Sequence, residues 1–192
     1  WTTTTRFPIQ EMAADTLEEL TEESGESSFF SLYNEQRRQM MFSLTVESPH
    51  PLRYTLPLQQ WIPLHAGASG LAILAFAPEA VRDEVVHSSL EAVTDRTVVE
   101  ADALQERLAM IRKEGYAITH GERIEGAIAI AAPVLGPVGA VIGATGITIP
   151  EARFNAAHAN SLALLVRQAA AHLTKAISGS RGVQRTPERI QV

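Results

Sequence analysis

The chain has 192 residues, 45% of them hydrophobic and 20% charged, and it contains no cysteine. A chain of this length buries roughly 70% of its unfolded surface as one globular domain, and the lack of cysteine excludes disulfides, thiol catalysis and thiolate metal sites. Sixteen basic against 22 acidic residues leave a net charge of −6, which makes this segment a poor partner for a phosphate backbone. There is neither an apolar run of about 20 residues nor a secretory-signal pattern, so a cytoplasmic location is expected and no membrane partner.

Residues 1–8 are threonine-rich, have no period and read as a linker remnant, as though the chain were the middle of a longer protein. From Ile9 the pattern is helical. Ile9, Met12, Ala13, Thr16, Leu17 and Leu20 share one face, Glu18, Glu19, Glu22 and Glu23 take the other, and Gly25 is placed to end the helix. Phe29–Tyr33 and Met40–Val46 are β-rich runs around the polar turn 34–38, a hairpin signal. Residues 53–56 look like a short third strand closed by Pro57.

Residues 62–76 run from a glycine-rich loop into an almost wholly apolar helix, the pattern of a helix buried all round. Ser69 is the expected N-cap, so the loop would direct free backbone N–H groups and the positive end of the helix dipole inward. A second helix is expected over 79–90. A third opens on Asp102 and Gln105, carries Leu104, Leu108 and Ile111 on its apolar stripe and ends at Gly115. The pattern then turns to β: 116–119, a turn at Gly121, 126–135, a turn at Gly136-Pro137, and 138–149. The last two strands are joined so closely that they must be antiparallel. A final helix is expected over 154–177 and a disordered polar tail over 179–192. The sum is α+β, one domain over 9–178.

The motifs do not assemble into an active centre. Gly67-Ala68-Ser69-Gly70-Leu71 has Leu71 where a nucleophile elbow needs glycine, and Ser69 with His65 lacks a third partner. His120-x-Glu122 has the spacing of two metal ligands on a turn, but it reads better as a polar lip. Glycines 136, 139, 143 and 146 do not form a phosphate loop. Gly143, Ala144 and Gly146 either floor a cavity over the sheet or admit a close-packed helix. Thr145 and Thr148 point to opposite faces, so one of them meets whatever lies above. A small-residue sheet face, an inward helix start and a few polar groups together suggest a small-molecule pocket.

Four segments in order, 63–75 (PLHAGASGLAILA), 112–117 (RKEGYA), 121–126 (GERIEG) and 130–134 (IAAPV), resemble the effector-binding domain of the IclR family of transcriptional regulators. The helix ending at Gly25 and the strand end Val46-Glu47-Ser48 also fit, and the resemblance runs from about Ile9 to Ile177. It implies a GAF-like fold, a curved antiparallel sheet flanked by helices with a ligand cavity on its concave side. It also implies a regulator that works as a homodimer or homotetramer and touches DNA only through an N-terminal winged helix-turn-helix domain.

By the same resemblance the effector is a small organic acid, a class that includes aromatic ones. Ala68, Ser69 and Gly70 would hold its carboxylate through backbone N–H groups. His120 and Glu122 would come from the polar turn, Ala131, Pro133, Gly146 and Thr148 from the strand pair, and Tyr54 and Ile62 from the apolar side. No cofactor and no metal is expected. Leu71 stands where the family often has lysine, and Pro133 where some members have a polar or thiol group. Both changes make the pocket less polar and predict a larger, partly aromatic or aliphatic acid rather than a two- or three-carbon one. Two other readings stay open: a ligand-free oligomerisation module whose cavity is filled by its own side chains, and a serine hydrolase built on Ser69.

Overall fold

The computed structural model describes residues 6–179. Eleven regular elements follow one another in these residues: α1 (Arg6–Ser24), β1 (Ser27–Asn34), β2 (Gln39–Val46), β3 (Ile62–Pro63), α2 (Ala68–Phe76), α3 (Glu79–Val86), α4 (Ala101–Glu114), β4 (Ala117–His120), β5 (Ala127–Leu135), β6 (Val141–Pro150) and α5 (Ala159–Gly179). The six strands form one sheet in the order β3-β2-β1-β6-β5-β4, and every neighbouring pair is antiparallel. The class is α+β.

Helices cover both faces, which is why β1 and β6 are buried along nearly their whole length rather than at alternate positions. Phe29, Met40, Phe42, Ala131 and Ala144 pack with α2, α3 and α4 on one side. Phe30, Met41, Ile128, Ile130, Ile147 and Ile149 pack with α1 and α5 on the other. Successive residues of a strand therefore go to different cores. The stripe foreseen on α1 is used, with Ile9, Ala13, Leu17 and Leu20 all buried against the sheet.

Several expected boundaries move, each for a local reason. Residues 6–8 are helical rather than linker, since Pro8 sits in the first turn, where its missing N–H costs no hydrogen bond. The strand foreseen at 53–56 is absent. Prolines at 49, 51 and 57 interrupt that stretch, and the sheet edge is instead paired by Ile62–Pro63, with Leu58 bridging to Phe42. Helix α3 stops at Val86, where the backbone N–H of His87 turns back to the carbonyls of Asp83 and Val85. Helix α4 begins after Glu100, which makes no side-chain cap, so Asp102 lies in the first turn and does not open a capping box. Its C-terminus is as read, with Gly115 in the left-handed conformation at φ 81°.

Strand β6 begins at Val141 because Pro137–Gly139 forms a 3-10 turn that leaves Val138 exposed. Helix α5 begins only at Ala159, after a turn in which the Asn155 side chain accepts a hydrogen bond from the Ala157 N–H (3.0 Å). The tail expected over 179–192 lies outside the described residues except for Gly179, which closes α5.

The small-residue strand serves close packing, not the cavity. A Cβ on Gly143 would come within 2.0 Å of the Ser31 carbonyl oxygen, and one on Gly146 within 2.1 Å of the Ile130 carbonyl oxygen. Ala144 is fully buried in the core under α2. Of the two threonines, Thr145 uses its hydroxyl on the Phe29 carbonyl (2.9 Å), which leaves Thr148 on the α2 side.

Candidate functional site

The antiparallel registers place Thr119 of β4 opposite Ala129 of β5, and Ala129 opposite Thr148 of β6. This cross-strand row, with Ala127, floors a narrow cavity on the α2 side of the sheet. Phe29, Phe42, Leu56 and Ile124 give its apolar walls, and Gly67, Ala68 and Ser69 bring the start of α2 to its edge. Glu122 and Arg123 supply the charged part of the lining. Its free volume is about 30 Å³, room for about two water molecules.

Helix α2 starts without a side-chain cap. Its N-cap is Gly67, at φ 86° and ψ 152°, and Ser69 lies inside the helix. The Ser69 hydroxyl is instead paired with that of Ser31 (2.6 Å) and directed at the Met40 sulfur (3.4 Å). The side chain foreseen as a cap thus ties the helix to β1 and β2. The Leu71 N–H donates to the Gly67 carbonyl (3.1 Å), while the N–H groups of Ala68, Ser69 and Gly70 precede the first intrahelical bond and carry the positive end of the helix dipole.

Arg123 lies against this helix start. Its guanidinium donates to the carbonyls of Pro63 (3.1 Å) and Ala66, which fixes the loop leading into α2. Burial pushes its pKa down to about 10, so it remains a cation at neutral pH. A Cβ on Gly67 would lie 2.7 Å from the Arg123 Nε. Glycine is required there both by the backbone angles and by this side chain. Gly67→Ala is expected to cost about 1–3 kcal/mol of stability and to displace Arg123. Urea unfolding would show the first effect, and a lowered affinity for acids the second; unchanged stability would contradict it.

Glu122 is the other charged group, and its side chain is 7% exposed. One carboxylate oxygen, Oε1, is paired with Arg107 of α4 at 2.6 Å, and Arg107 also donates to the Ile118 carbonyl (2.7 Å). The other oxygen, Oε2, is buried and has no hydrogen-bond partner among the described residues. Burial raises the Glu122 pKa above the usual carboxylate range, while the charge and hydrogen bond of Arg107, and more weakly His120, oppose the rise.

The residues singled out in the sequence divide into two groups. Ala68, Ser69, Glu122 and Thr148 meet at the cavity. The others do not line it. Gly70 faces the Leu64 backbone, where a Cβ would be 2.4 Å from a carbonyl oxygen. Ala131 and Gly146 pair with each other one row further under α2, and the Phe29 ring covers Gly146, its Cζ 2.8 Å from where a Cβ would stand. Pro133 lies a row beyond, opposite Ala144.

Ile62 is in the edge strand β3, and the Tyr54 hydroxyl donates to the Glu125 carbonyl (3.1 Å) beside the turn at Gly126. His120 is exposed and packs edge-on against Phe154 (5.7 Å between ring centroids). It makes no ligand set with Glu122, and no cluster of three metal-ligating side chains occurs among the described residues. His65 points its Nε2 at the Glu91 carbonyl (2.7 Å), so Ser69 and His65 do not form a nucleophile–base pair.

Arg123, Thr119 and Ala129 were not foreseen. For Ala129 a signal existed, since it is two positions from Ala131 on the same strand and shares its face. The two positions read as making the pocket less polar lie away from it. Leu71 is buried in the core and Pro133 is two rows from the cavity floor, so neither sets its polarity.

A family model described as "Bacterial transcriptional regulator IclR C-terminal" matches residues 1–175. A glycerol operon regulatory protein of Streptomyces griseus is 32% identical over 166 residues, which is 85% of this chain and 64% of that protein. A crystal structure of a putative IclR transcriptional regulator from Silicibacter sp. superposes with a TM-score of 0.84 at 27% identity, over 96% of this chain and 71% of that one. An IclR homolog from Microbacterium hydrocarbonoxydans, solved with 4-hydroxybenzoate, has a TM-score of 0.78 at 24% identity, over 89% of this chain and 68% of that one. The chain spans 41–64% of the length of the curated relatives it matches, and those relatives are regulators of transcription, not enzymes.

Proposed function

The chain belongs to the IclR family of bacterial transcriptional regulators, whose C-terminal domain it matches, and from this we propose that it senses a small organic acid. The observation that carries the reading is the cavity over Thr119, Ala129 and Thr148, with the free N–H groups of α2 and the Arg123 guanidinium at its edge. A helix N-terminus beside a half-buried arginine favours an anion. The acid's carboxylate would lie against Ala68, Ser69 and Arg123, with the rest of the acid over Thr148.

Acid bound between α2 and the sheet would bias how two or four copies of the domain are arranged. That arrangement would set the spacing of N-terminal winged helix-turn-helix domains on DNA in the cytoplasm. A coupling of about 1–3 kcal/mol is enough for such control.

The size of the cavity selects among acids. A dry cavity of about 150 Å³ is known to admit benzene, several times the room here. A short acid is still larger than two waters, so it too enters only if the lining gives way, and the bulkier acid suggested by Leu71 and Pro133 needs the lining to move further. An aromatic acid such as 4-hydroxybenzoate, the ligand of the Microbacterium homolog, would enter only if Leu56, Ile124 or Arg123 moved aside. The same tightness is what favours the second reading, a ligand-free oligomerisation module.

Thermal unfolding against a panel of short and aromatic acids separates the two. An acid present at a hundred times its Kd adds about 2.7 kcal/mol, which for a domain of this size raises the Tm by roughly 5–10 °C. If no acid in the panel moves the Tm, the sensing role fails and the oligomerisation module stands.

A further inference from the structure

The cavity holds about two waters, so an acid can enter only if part of the wall gives way. Most of that wall is held firmly. Its floor and the Phe29 and Phe42 rings belong to strands of the sheet, and the start of α2 is locked by the Ser69–Ser31 hydroxyl pair (2.6 Å). The turn that carries Glu122, Arg123 and Ile124 is pinned at several points. Thr94 donates to the Gly121 carbonyl (2.7 Å), Thr97 to the Glu122 carbonyl (2.8 Å), and the Glu151 N–H to the Gly126 carbonyl (2.7 Å).

Leu56 differs. It is buried in a stretch, residues 51–60, whose other members are exposed or half-buried and which meets the sheet through the Leu58–Phe42 bridge. Both ends of the stretch are anchored. Arg153, which donates to both oxygens of Glu26 (2.7 and 2.6 Å), also donates to the Leu52 carbonyl (3.0 Å). The Gln59 N–H donates to the Phe42 carbonyl (2.9 Å). Between these anchors, residues 54–56 have a single hydrogen bond among the described residues, from the Tyr54 hydroxyl to the Glu125 carbonyl (3.1 Å). Gln59 lies at φ 57°, a left-handed conformation that a residue with a side chain seldom holds. Pro57 stiffens the chain beside Leu56. A stiff span between two fixed ends, strained at one of them, is built to move as a unit.

We propose that residues 53–58 form a flap with Leu56 as its plug: the flap swings out on the Leu52 and Gln59 anchors, and the acid takes the room that the Leu56 side chain leaves. The Tyr54 hydroxyl is the latch. It lies outside the cavity lining, so removing it leaves the lining as it is. The inference rests on the acid-sensing reading above.

The chain has no cysteine, so one introduced thiol reports opening. Leu56→Cys is labelled with N-ethylmaleimide under native conditions, and Ala132→Cys, at 1% exposure in the core beside α5, is the control. The thiol at 56 is expected to react at least about a hundredfold faster than the one at 132, as local opening outpaces global unfolding. Adding Tyr54→Phe should speed it by roughly a further three- to tenfold, the worth of one hydrogen bond. Equal rates at the two positions, or no response to Tyr54→Phe, overturn the inference. If a cysteine variant does not fold, trypsin cleavage after Arg53 reads the same opening: Tyr54→Phe alone should speed it by the same factor, and an unchanged rate overturns the inference. Lactate and 4-hydroxybenzoate are then added at saturation. Whichever raises the Tm should speed labelling at 56 by about threefold or more, because the side chain is displaced; slower or unchanged labelling overturns this inference alone. If neither raises the Tm, the acid-sensing reading falls, and the role of the flap as its entrance falls with it.

Discussion

Arg107→Met is expected to destabilise the protein by about 3 kcal/mol at pH 7. Removing one partner of a buried ion pair costs about 3–5 kcal/mol, because the remaining charge is left uncompensated. The lower end applies because Arg107 keeps 26% of its side chain in solvent, although Glu122 keeps only 7%. The pH dependence identifies the cause. Burial already holds the folded-state pKa of Glu122 above its ordinary value of 4.5, and without Arg107 it would rise further.

A carboxyl whose pKa is raised by folding contributes stability that is complete below its unfolded pKa and is lost as pH rises through the folded one. The penalty of Arg107→Met should therefore be largest at neutral pH and shrink on acidification toward pH 4.5. Urea midpoints at several pH values would show this. A penalty that is constant, or that grows on acidification, would mean that Arg107 acts through its bond to the Ile118 carbonyl instead. In the wild type the same linkage makes the Glu122 contribution fall as pH rises above 4.5, and Glu122→Gln should remove that slope.

The second large effect is expected at Arg123. Arg123→Met should weaken acid binding by about 2–5 kcal/mol, the usual loss when one member of a desolvated, hydrogen-bonded charge pair is truncated. The variant also leaves the carbonyls of Pro63 and Ala66 without their donor, at a further cost in stability of about 1–3 kcal/mol. The two effects are separable. Binding of a neutral ester of the same acid should change little between wild type and variant, while binding of the acid itself should fall. Equal losses for acid and ester would mean that Arg123 only holds the loop.

Much of the scaffold was legible because it follows periodicity. The stripe on α1, the β1–β2 hairpin, the all-apolar α2 and the antiparallel β5–β6 pair all come from spacings that backbone geometry imposes, and Gly115 ends α4 because the chain turns there through a positive φ. The boundaries that moved were set by contacts between distant residues. Ser69 has the chemistry of a helix cap, yet a serine of β1 lies 2.6 Å from its hydroxyl and takes it. Ser31 is 38 positions away, and no local pattern announces that pairing.

The cavity was legible by face and not by row. The resemblance puts Ala131, Gly146 and Thr148 on the strand pair and alternation puts them on one face, but only register decides which pairs stand together. Register puts Thr148 with Ala129 and Thr119, and Gly146 with Ala131 beneath the Phe29 ring. Arg123 carries no periodic signal at all. Its role comes from a glycine that cannot hold a Cβ and from two carbonyls about 60 positions away that need a donor.

The central claim is that an acid binds where the first turn of α2 meets the Thr119–Ala129–Thr148 row. Backbone amide NMR during titration with lactate, and with 4-hydroxybenzoate in a second series, tests it most directly. The account predicts that at least one of these acids produces saturable shifts that are largest at Ala68, Ser69 and Gly70 and extend to Thr119, Ala129 and Thr148. Saturable shifts confined to another surface, such as the groove between α1 and α5, or no saturable shift with either acid, would contradict it.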